Sequence, residues 1–264
     1  MRDSSHAPTH HATAAAASVA ALGMRIAVIS DIHANLHALE TVLSDIDRES
    51  VDEIWCLGDV VGYGPKPNEC CDLIRERTAI SLCGNHDLAA LGLLDVDEFS
   101  GDAAAAARWT SRVLGDEQRV WLGSLSPLGR RDGAELFHAS PRDPVWEYVL
   151  SEEVAVMSLE ASTAPLVLVG HTHVALALTW DGWRMDGGLA PGGVTIALGG
   201  RRFLINPGSV GQPRDGDARA AWLLLDAAGR ASFRRVEYPI DETQKEMRDA
   251  GLPETLAGRL AHGL

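Results

Sequence analysis

Between Arg25 and Leu82 the chain alternates short apolar runs with amphipathic stretches, and this alternation restricts the fold more than any other feature of the sequence. Arg25–Ser30 (RIAVIS), Glu53–Leu57 and Thr78–Leu82 read as buried strands. Asn35–Arg48 sets Leu36, Leu39, Val42, Leu43 and Ile46 at helical spacing, and Asn68–Arg77 reads as a second helix. Strand, helix, strand, helix, strand requires parallel pairing with helical crossovers, which is an α/β fold.

Further along, Leu88–Gly129 is Ala-rich (Ala103–Ala107) and carries Trp109, Val113, Val120, Trp121 and Leu122; it predicts two or three short helices, a cap over about residues 88–129 beside the sheet. Glu135–His138 and Pro165–Val169 are strands around a helical Glu152–Glu160. After His173 the strands Val174–Trp180, Val194–Leu198, Arg202–Ile205, Ala220–Leu225 and Ser232–Glu237 are short and broken by Gly, Pro and Asp, with turn signals at Asp181-Gly182 and Gly187-Gly188. This half predicts antiparallel sheet, closed by helices over Thr243–Ala250 and Glu254–Ala261. At 264 residues the chain suits one large domain, and no repeat or long linker divides it. Met1–Gly23, rich in Ala, Ser, Thr and His, predicts a disordered extension, with Met24 as an alternative start.

Composition bounds the chemistry. No run of 18 apolar residues occurs, so no spanning helix is expected. A formal charge of −14 disfavours a long nucleic acid as partner. It leaves a small phosphate ester open, because a bound metal dominates its local field. Cys56, Cys70, Cys71 and Cys83 form no CxxC pair and read as reduced core thiols of a cytoplasmic protein.

Five segments follow directly on predicted strands: Asp31-Ile32-His33, Gly58-Asp59, Gly84-Asn85-His86-Asp87, His138, and Gly170-His171-Thr172-His173. Carboxyl ends of strands in open α/β sheets form the ligand crevice, so segments scattered in sequence converge there. Carboxylate, imidazole and amide oxygen together suit manganese, iron or zinc. Ligands two residues apart on extended chain point to the same side, which explains the D-x-H and H-x-H spacing. Of the ten histidines, His6, His10 and His11 lie in the extension and His37 and His262 elsewhere; the other five all fall in these segments.

This ordered set resembles the calcineurin-like metallophosphoesterase superfamily, with its DxH, GD, GNHD, lone His and GHxH motifs in order from Met24 to about Glu237. DIHANLHALE, WCLGDVVGYGP, CGNHD, HASPRDP and INPGSVGQPRD are similar to its small bacterial stand-alone branch, which includes phosphodiesterases. The resemblance implies a four-layer α/β/β/α sandwich with two divalent metals at its rim, Mn2+ favoured over Fe or Zn. One metal would be held by Asp31, His33, Asp59 and His173. The other would be held by Asp59, Asn85, His138 and His171, with Asp59 bridging. His86 would serve as general acid toward the leaving group while a hydroxide bridging the metals attacks phosphorus.

The related serine/threonine phosphatases read GDxxDRG, where this chain has Gly58-Asp59-Val60-Val61-Gly62-Tyr63-Gly64. The Asp that orients the catalytic His and the Arg that grips phosphate are both missing, and Cys83 stands where a basic residue often precedes GNH. These departures weigh against a protein phosphatase or a symmetrical diadenosine tetraphosphatase. Asp87 is a partner for His86 by adjacency, or else serves the backbone. Arg142 and Arg214 are the candidate phosphate contacts, set against pairing with Asp143 or Asp215 on the surface. Asn206-Pro207-Gly208-Ser209 reads as a turn propping the metal loops. Trp109 and Trp121 read as helix core, and Trp146 and Tyr148 as the better candidates for stacking on a base. The expected activity is phosphodiester hydrolysis of small or cyclic nucleotides. The alternatives are a phosphomonoesterase, a dinucleoside-polyphosphate hydrolase, or a non-catalytic metal-binding scaffold.

Overall fold

The computed structural model describes residues 23–131 and 133–264. The expected disordered extension lies outside the described residues apart from Gly23. The elements run β1 (Ile26–Ile29), α1 (Leu36–Arg48), β2 (Glu53–Cys56), α2 (Pro67–Arg77), β3 (Ile80–Ser81) and α3 (Asn85–Ala90). A 3-10 turn (Val96–Glu98), α4 (Gly101–Val113), α5 (Asp116–Gly123), β4 (Leu128–Arg131), β5 (Ala134–Phe137), α6 (Glu152–Ala161) and β6 (Leu166–Leu168) follow. The chain then continues through β7 (Leu176–Trp180), β8 (Met185–Leu189), β9 (Thr195–Ala197), β10 (Arg202–Asn206), β11 (Ala220–Leu225), β12 (Arg230–Val236), α7 (Ile240–Asp249) and α8 (Glu254–Leu260).

Two six-stranded mixed sheets result, ordered β3-β2-β1-β11-β12-β9 and β4-β5-β6-β10-β7-β8. The predicted parallel triplet β1–β3 forms half of the first, and β11, β12 and β9 complete it antiparallel. In the second sheet β5, β6 and β10 are parallel and β4, β7 and β8 flank them antiparallel.

The period-2 geometry of strands sorts the apolar side chains. Ile26 and Val28 face the second sheet, packing with Leu136, Leu168, Ile205 and Leu223 in the inter-sheet core. Ala27 and Ile29 face outward against Leu39, Val42 and Ile46 of α1 and Ile74 of α2. On the other outer face, Val167 and Leu204 pack against Ala155 and Leu159 of α6. Helix, sheet, sheet and helix therefore stack as the four expected layers.

The expected helical cap ends sooner than 129: residues 128–131 form the edge strand β4, paired with β5, because backbone pairing at that edge overrides the weak pattern of Leu128-Gly-Arg-Arg. Gly187 and Gly188, expected as a turn, lie inside β8 for the same reason, held to β7 by the ladder. Trp121 is partly buried against the α1–α2 core and Trp109 against a cluster of α4, α7 and α8, as helix core residues are.

All four cysteines are buried and unpaired. Burial pushes the Cys83 thiol up to about 12 and raises the other three further. The thiols are thus protonated throughout the neutral range, so the folded protein is expected to give no fast reaction with a disulfide reagent at pH 8, and four thiols after denaturation. A rapidly titrating thiol in the native state would contradict this burial.

Candidate metal centre

The turns leaving β1, β2, β3, β5 and β6, contributed by both sheets, carry all the predicted ligands to one rim. Asp31, His33, Asp59 and His173 form one buried set and Asp59, His138 and His171 a second; within each, the donor atoms lie within 4.8 Å of one another. Asp59 belongs to both. Asn85, at the start of α3, brings Oδ1 to 3.2 Å from His138 Nε2.

The turns are unusual in their backbone. Asp31, His33, Asp59, His171 and His173 all have φ between 50° and 64°, the left-handed region that non-glycine residues rarely occupy. Such strain clusters at functional sites, where the surrounding fold over-determines it. Here Asp31 N donates to Gly58 O at 3.0 Å and His33 N to Asp59 O at 2.9 Å, locking the first two turns together. Gly84 lets the backbone approach closely: a Cβ there would overlap the Asp59 carboxylate.

The hydrogen-bond pattern fits a cation. His33 Nδ1 donates to Val61 O (3.2 Å) and His173 Nδ1 to Gln212 O (2.7 Å). Both Nε2 atoms are therefore lone-pair acceptors, yet they face each other at 2.9 Å. His138 donates through Nδ1 to Leu57 O, which turns its Nε2 lone pair toward Asp59 Oδ2 at 3.5 Å. That Oδ2 is buried with no hydrogen-bond partner among the described residues. Buried acceptors converging without a donor are stabilised by a divalent cation, and the backbone carbonyls hold each imidazole in the ligating tautomer. His171 donates from Nε2 to Trp146 O at 3.3 Å, leaving Nδ1 as its acceptor.

Electrostatics agree. Burial raises Asp59 well above the usual carboxylate range, reinforced by Asp87 and Asp31, and pushes Asp31 up to about 7. Burial holds His138 down to about 3 and His171 to about 2, so both are neutral and ligation-ready at pH 7. Metal loading at ~100 times Kd adds ~2.7 kcal/mol of stability. For a chain of this size that raises Tm by ~5–10 °C. Because Asp31 must give up a proton below pH 7, apparent metal affinity is expected to fall by ~tenfold per pH unit as pH drops under that value. Calorimetry of chelated and reloaded protein at pH 6 and 8 checks both; an unchanged Tm on reloading would remove the metal reading.

Around the cage, Asp87 serves the backbone: its carboxylate accepts from Gly84 N, Val60 N and Val61 N at 2.9–3.2 Å. It does not hold the His86 ring. Instead His86 is packed by Tyr63, Phe99 and His33, with centroids 4.3–5.0 Å apart, and its buried Nδ1 has no partner among the described residues. Burial, then the charge of Arg214, keeps this ring well below the ordinary histidine pKa.

The turn at Asn206–Ser209 props the site as expected: Ser209 Oγ donates to Asp31 O (2.7 Å) and Asn206 Nδ2 to Gly170 O (2.7 Å). A cleft of ≈ 510 Å³ opens over Asn85 and His86, walled by Tyr63, Phe99, Trp146, Tyr148, Arg214 and Arg259. Tyr148 stacks on His171 at 4.0 Å. Arg214 lines the cleft; its sequence neighbour Asp215 pairs with Arg235 instead. Arg142 does not line it: its guanidinium meets Glu147 (3.5 Å) and Met157 Sδ (2.9 Å). Phe99 and Arg259 escaped the sequence reading, since neither lies next to a motif and only packing brings them to the cleft.

The sequence profile of the calcineurin-like phosphoesterase superfamily domain matches residues 24–229. A metallophosphoesterase from Sphaerobacter thermophilus shares the fold at TM-score 0.83 and 46% identity, over 91% of this chain and 99% of that one. An uncharacterized protein of Methanocaldococcus jannaschii is 38% identical over 244 residues, covering 90% of this chain and 98% of its own length. The symmetrical bis(5′-nucleosyl)-tetraphosphatase of Nitrosococcus oceani is 33% identical over 141 residues, which is 50% of this chain and 49% of that protein, so the chain spans about half of that relative. Among the described residues no helix is long and apolar enough to cross a membrane. With this cage at the rim of this sandwich, the chain belongs to the calcineurin-like phosphoesterase superfamily, whose members are hydrolases acting on phosphoesters.

Proposed function

We propose that this chain is a binuclear metal-dependent phosphodiesterase for small nucleotide-type substrates, with manganese the favoured metal and the cytoplasm its compartment. The observation that carries the reading is Asp59, shared by two buried donor sets, with Asn85 and His86 lining the neighbouring cleft. Asp31, His33, Asp59 and His173 would hold one cation, and Asp59, Asn85, His138 and His171 the other. Cations there supply Lewis acidity toward phosphoryl oxygens and lower the pKa of water.

The chain's own groups do the rest. His86, outside both donor sets and lining the cleft, gives a proton to the departing ester oxygen. Its depressed pKa means the proton arrives with the anionic substrate, whose charge favours the imidazolium. Arg214 neutralises phosphoryl charge. Trp146 and Tyr148 offer flat faces to a base, and the aromatic packing around His86 keeps bulk water from its ring.

Bis-p-nitrophenyl phosphate compared with p-nitrophenyl phosphate, after chelation and manganese reloading, tests the reading. Diester turnover that requires metal is expected to exceed monoester turnover by at least ~tenfold. Monoester preference would favour a phosphomonoesterase. No turnover of either with metal bound would leave the scaffold, to be checked with a nucleotide panel. Dinucleoside polyphosphates belong on that panel because part of the chain is similar to tetraphosphatases and because the cleft holds two arginines, which offset the missing phosphate-gripping Arg.

A further inference from the structure

Two of the cleft's walls are guanidinium groups from distant parts of the chain. Arg214 lies in the loop between β10 and β11, and Arg259 sits on α8. They meet on one atom: Gln212 Oε1 accepts from Arg214 Nη2 at 2.7 Å and Nε at 3.2 Å, and from Arg259 Nη1 at 3.4 Å. Gln212 is itself buried, and its backbone oxygen receives the His173 Nδ1 proton. Arg214 N donates to His173 O at 3.1 Å. The two cations are thus mechanically tied to a metal-loop histidine.

Neither has a carboxylate within ion-pair distance among the described residues, although most arginines of this acidic chain do: Arg25, Arg77, Arg108, Arg230, Arg235 and Arg248 are examples. Arg214 and Arg259 are half-buried, and the neutral Gln212 amide returns only part of the solvation that the two charges lose. Arg214 also lies 5.7 Å over the Tyr63 ring and reaches its hydroxyl at 3.3 Å, which holds the guanidinium in place. Glu98, the one acidic side chain lining this cleft, is exposed. Two cations held by a neutral amide and a phenol, with no compensating carboxylate among the described residues, describe a place for an anion.

We propose that Arg214 and Arg259, tied together by Gln212, form a subsite for a second phosphoryl group of the substrate, next to the one held at the metal cage. This rests on the phosphoesterase reading of the cage and narrows it: the substrate is a linear nucleotide carrying two or more phosphoryl groups, and a cyclic monophosphate leaves the subsite empty. Arg259 is a specificity-determining residue in this scheme. Its helix is seated by Leu256 and Leu260 in the cluster with Tyr63 and Met247, so its position is set by packing independent of any ligand.

Binding of adenosine 5′-diphosphate and adenosine 5′-monophosphate to the manganese-loaded protein, by titration calorimetry, tests this. The diphosphate is expected to bind at least ~tenfold more tightly, and Arg259→Met, which keeps the apolar stem, is expected to remove most of that preference. Arg259→Lys restores part of it, the loss of the planar fork accounting for the rest. A preference that Arg259→Met leaves unchanged would mean the metals alone chelate the diphosphate and would overturn the subsite. Equal binding of the two nucleotides by the wild type would do the same. Turnover of bis-p-nitrophenyl phosphate, which has a single phosphorus, separates the two readings. Turnover without a diphosphate preference sinks the subsite only, and an Arg259-dependent preference without turnover sinks the phosphodiesterase reading only.

Discussion

Asp59→Asn is expected to empty the cage and lower kcat/KM on a diester by at least ~10³-fold, since the shared carboxylate is lost from both donor sets at once. The substitution is nearly isosteric. Its remaining oxygen still accepts from His86 N, as Asp59 Oδ1 does at 2.9 Å. It also removes a carboxylate that burial, Asp87 and Asp31 together hold well above its ordinary pKa. The metal-free variant is therefore expected to melt no lower than the metal-free wild type, while the gain in Tm on adding manganese disappears. Metal analysis by plasma emission, run beside calorimetry, separates this from misfolding. Full metal content in Asp59→Asn would show that the shared carboxylate does not hold the ions.

His86→Gln is expected to act the other way round: metal content stays at the wild-type level and turnover falls. General-acid assistance is worth ~10²–10⁴-fold. The loss depends on the leaving group. A nucleoside or alkyl ester leaves as a strongly basic alkoxide and needs the proton, so the full factor is expected there. A p-nitrophenyl ester leaves as a stabilised phenolate, and the same variant is expected to retain far more of its activity on it. A series of diesters graded by leaving-group basicity reads this directly, as a steeper dependence in the variant than in the wild type. An equal loss across the series would make His86 a positioning residue. Its ring contacts with Tyr63, Phe99 and His33 give that outcome a structural basis.

The weight of these two predictions rests on residues that were readable in the sequence, and the reason is geometric. Asp31, Asp59, Asn85, His138, His171 and His173 each stand one to five residues beyond a strand that apolar patterning reveals, and parallel strands deliver such residues to one rim. Asp87 was ambiguous between His86 and the backbone; three amide donors within 3.2 Å settle it for the backbone, a geometry that sequence adjacency does not encode. Arg142 and Arg214 looked equivalent as cations near motifs. The fold separates them, because Glu147 and Met157 take up Arg142 while Asp215, the expected partner of Arg214, is taken by Arg235.

What the sequence determined by itself is local and periodic: the strand–helix alternation through Leu82, the apolar face of α1, and a ligand set just beyond strand ends; that the D-x-H and H-x-H pairs sit in left-handed turns and not on extended chain, as their spacing suggested, only the structure shows. The tertiary structure alone decided how the strands divide between two sheets, that residues 128–131 and 185–189 become edge strands, and that Arg259, 47 residues beyond Gln212, closes on it beside the cleft. Backbone pairing and ion pairing between distant segments follow from which surfaces pack, and no short-range period in the chain records them.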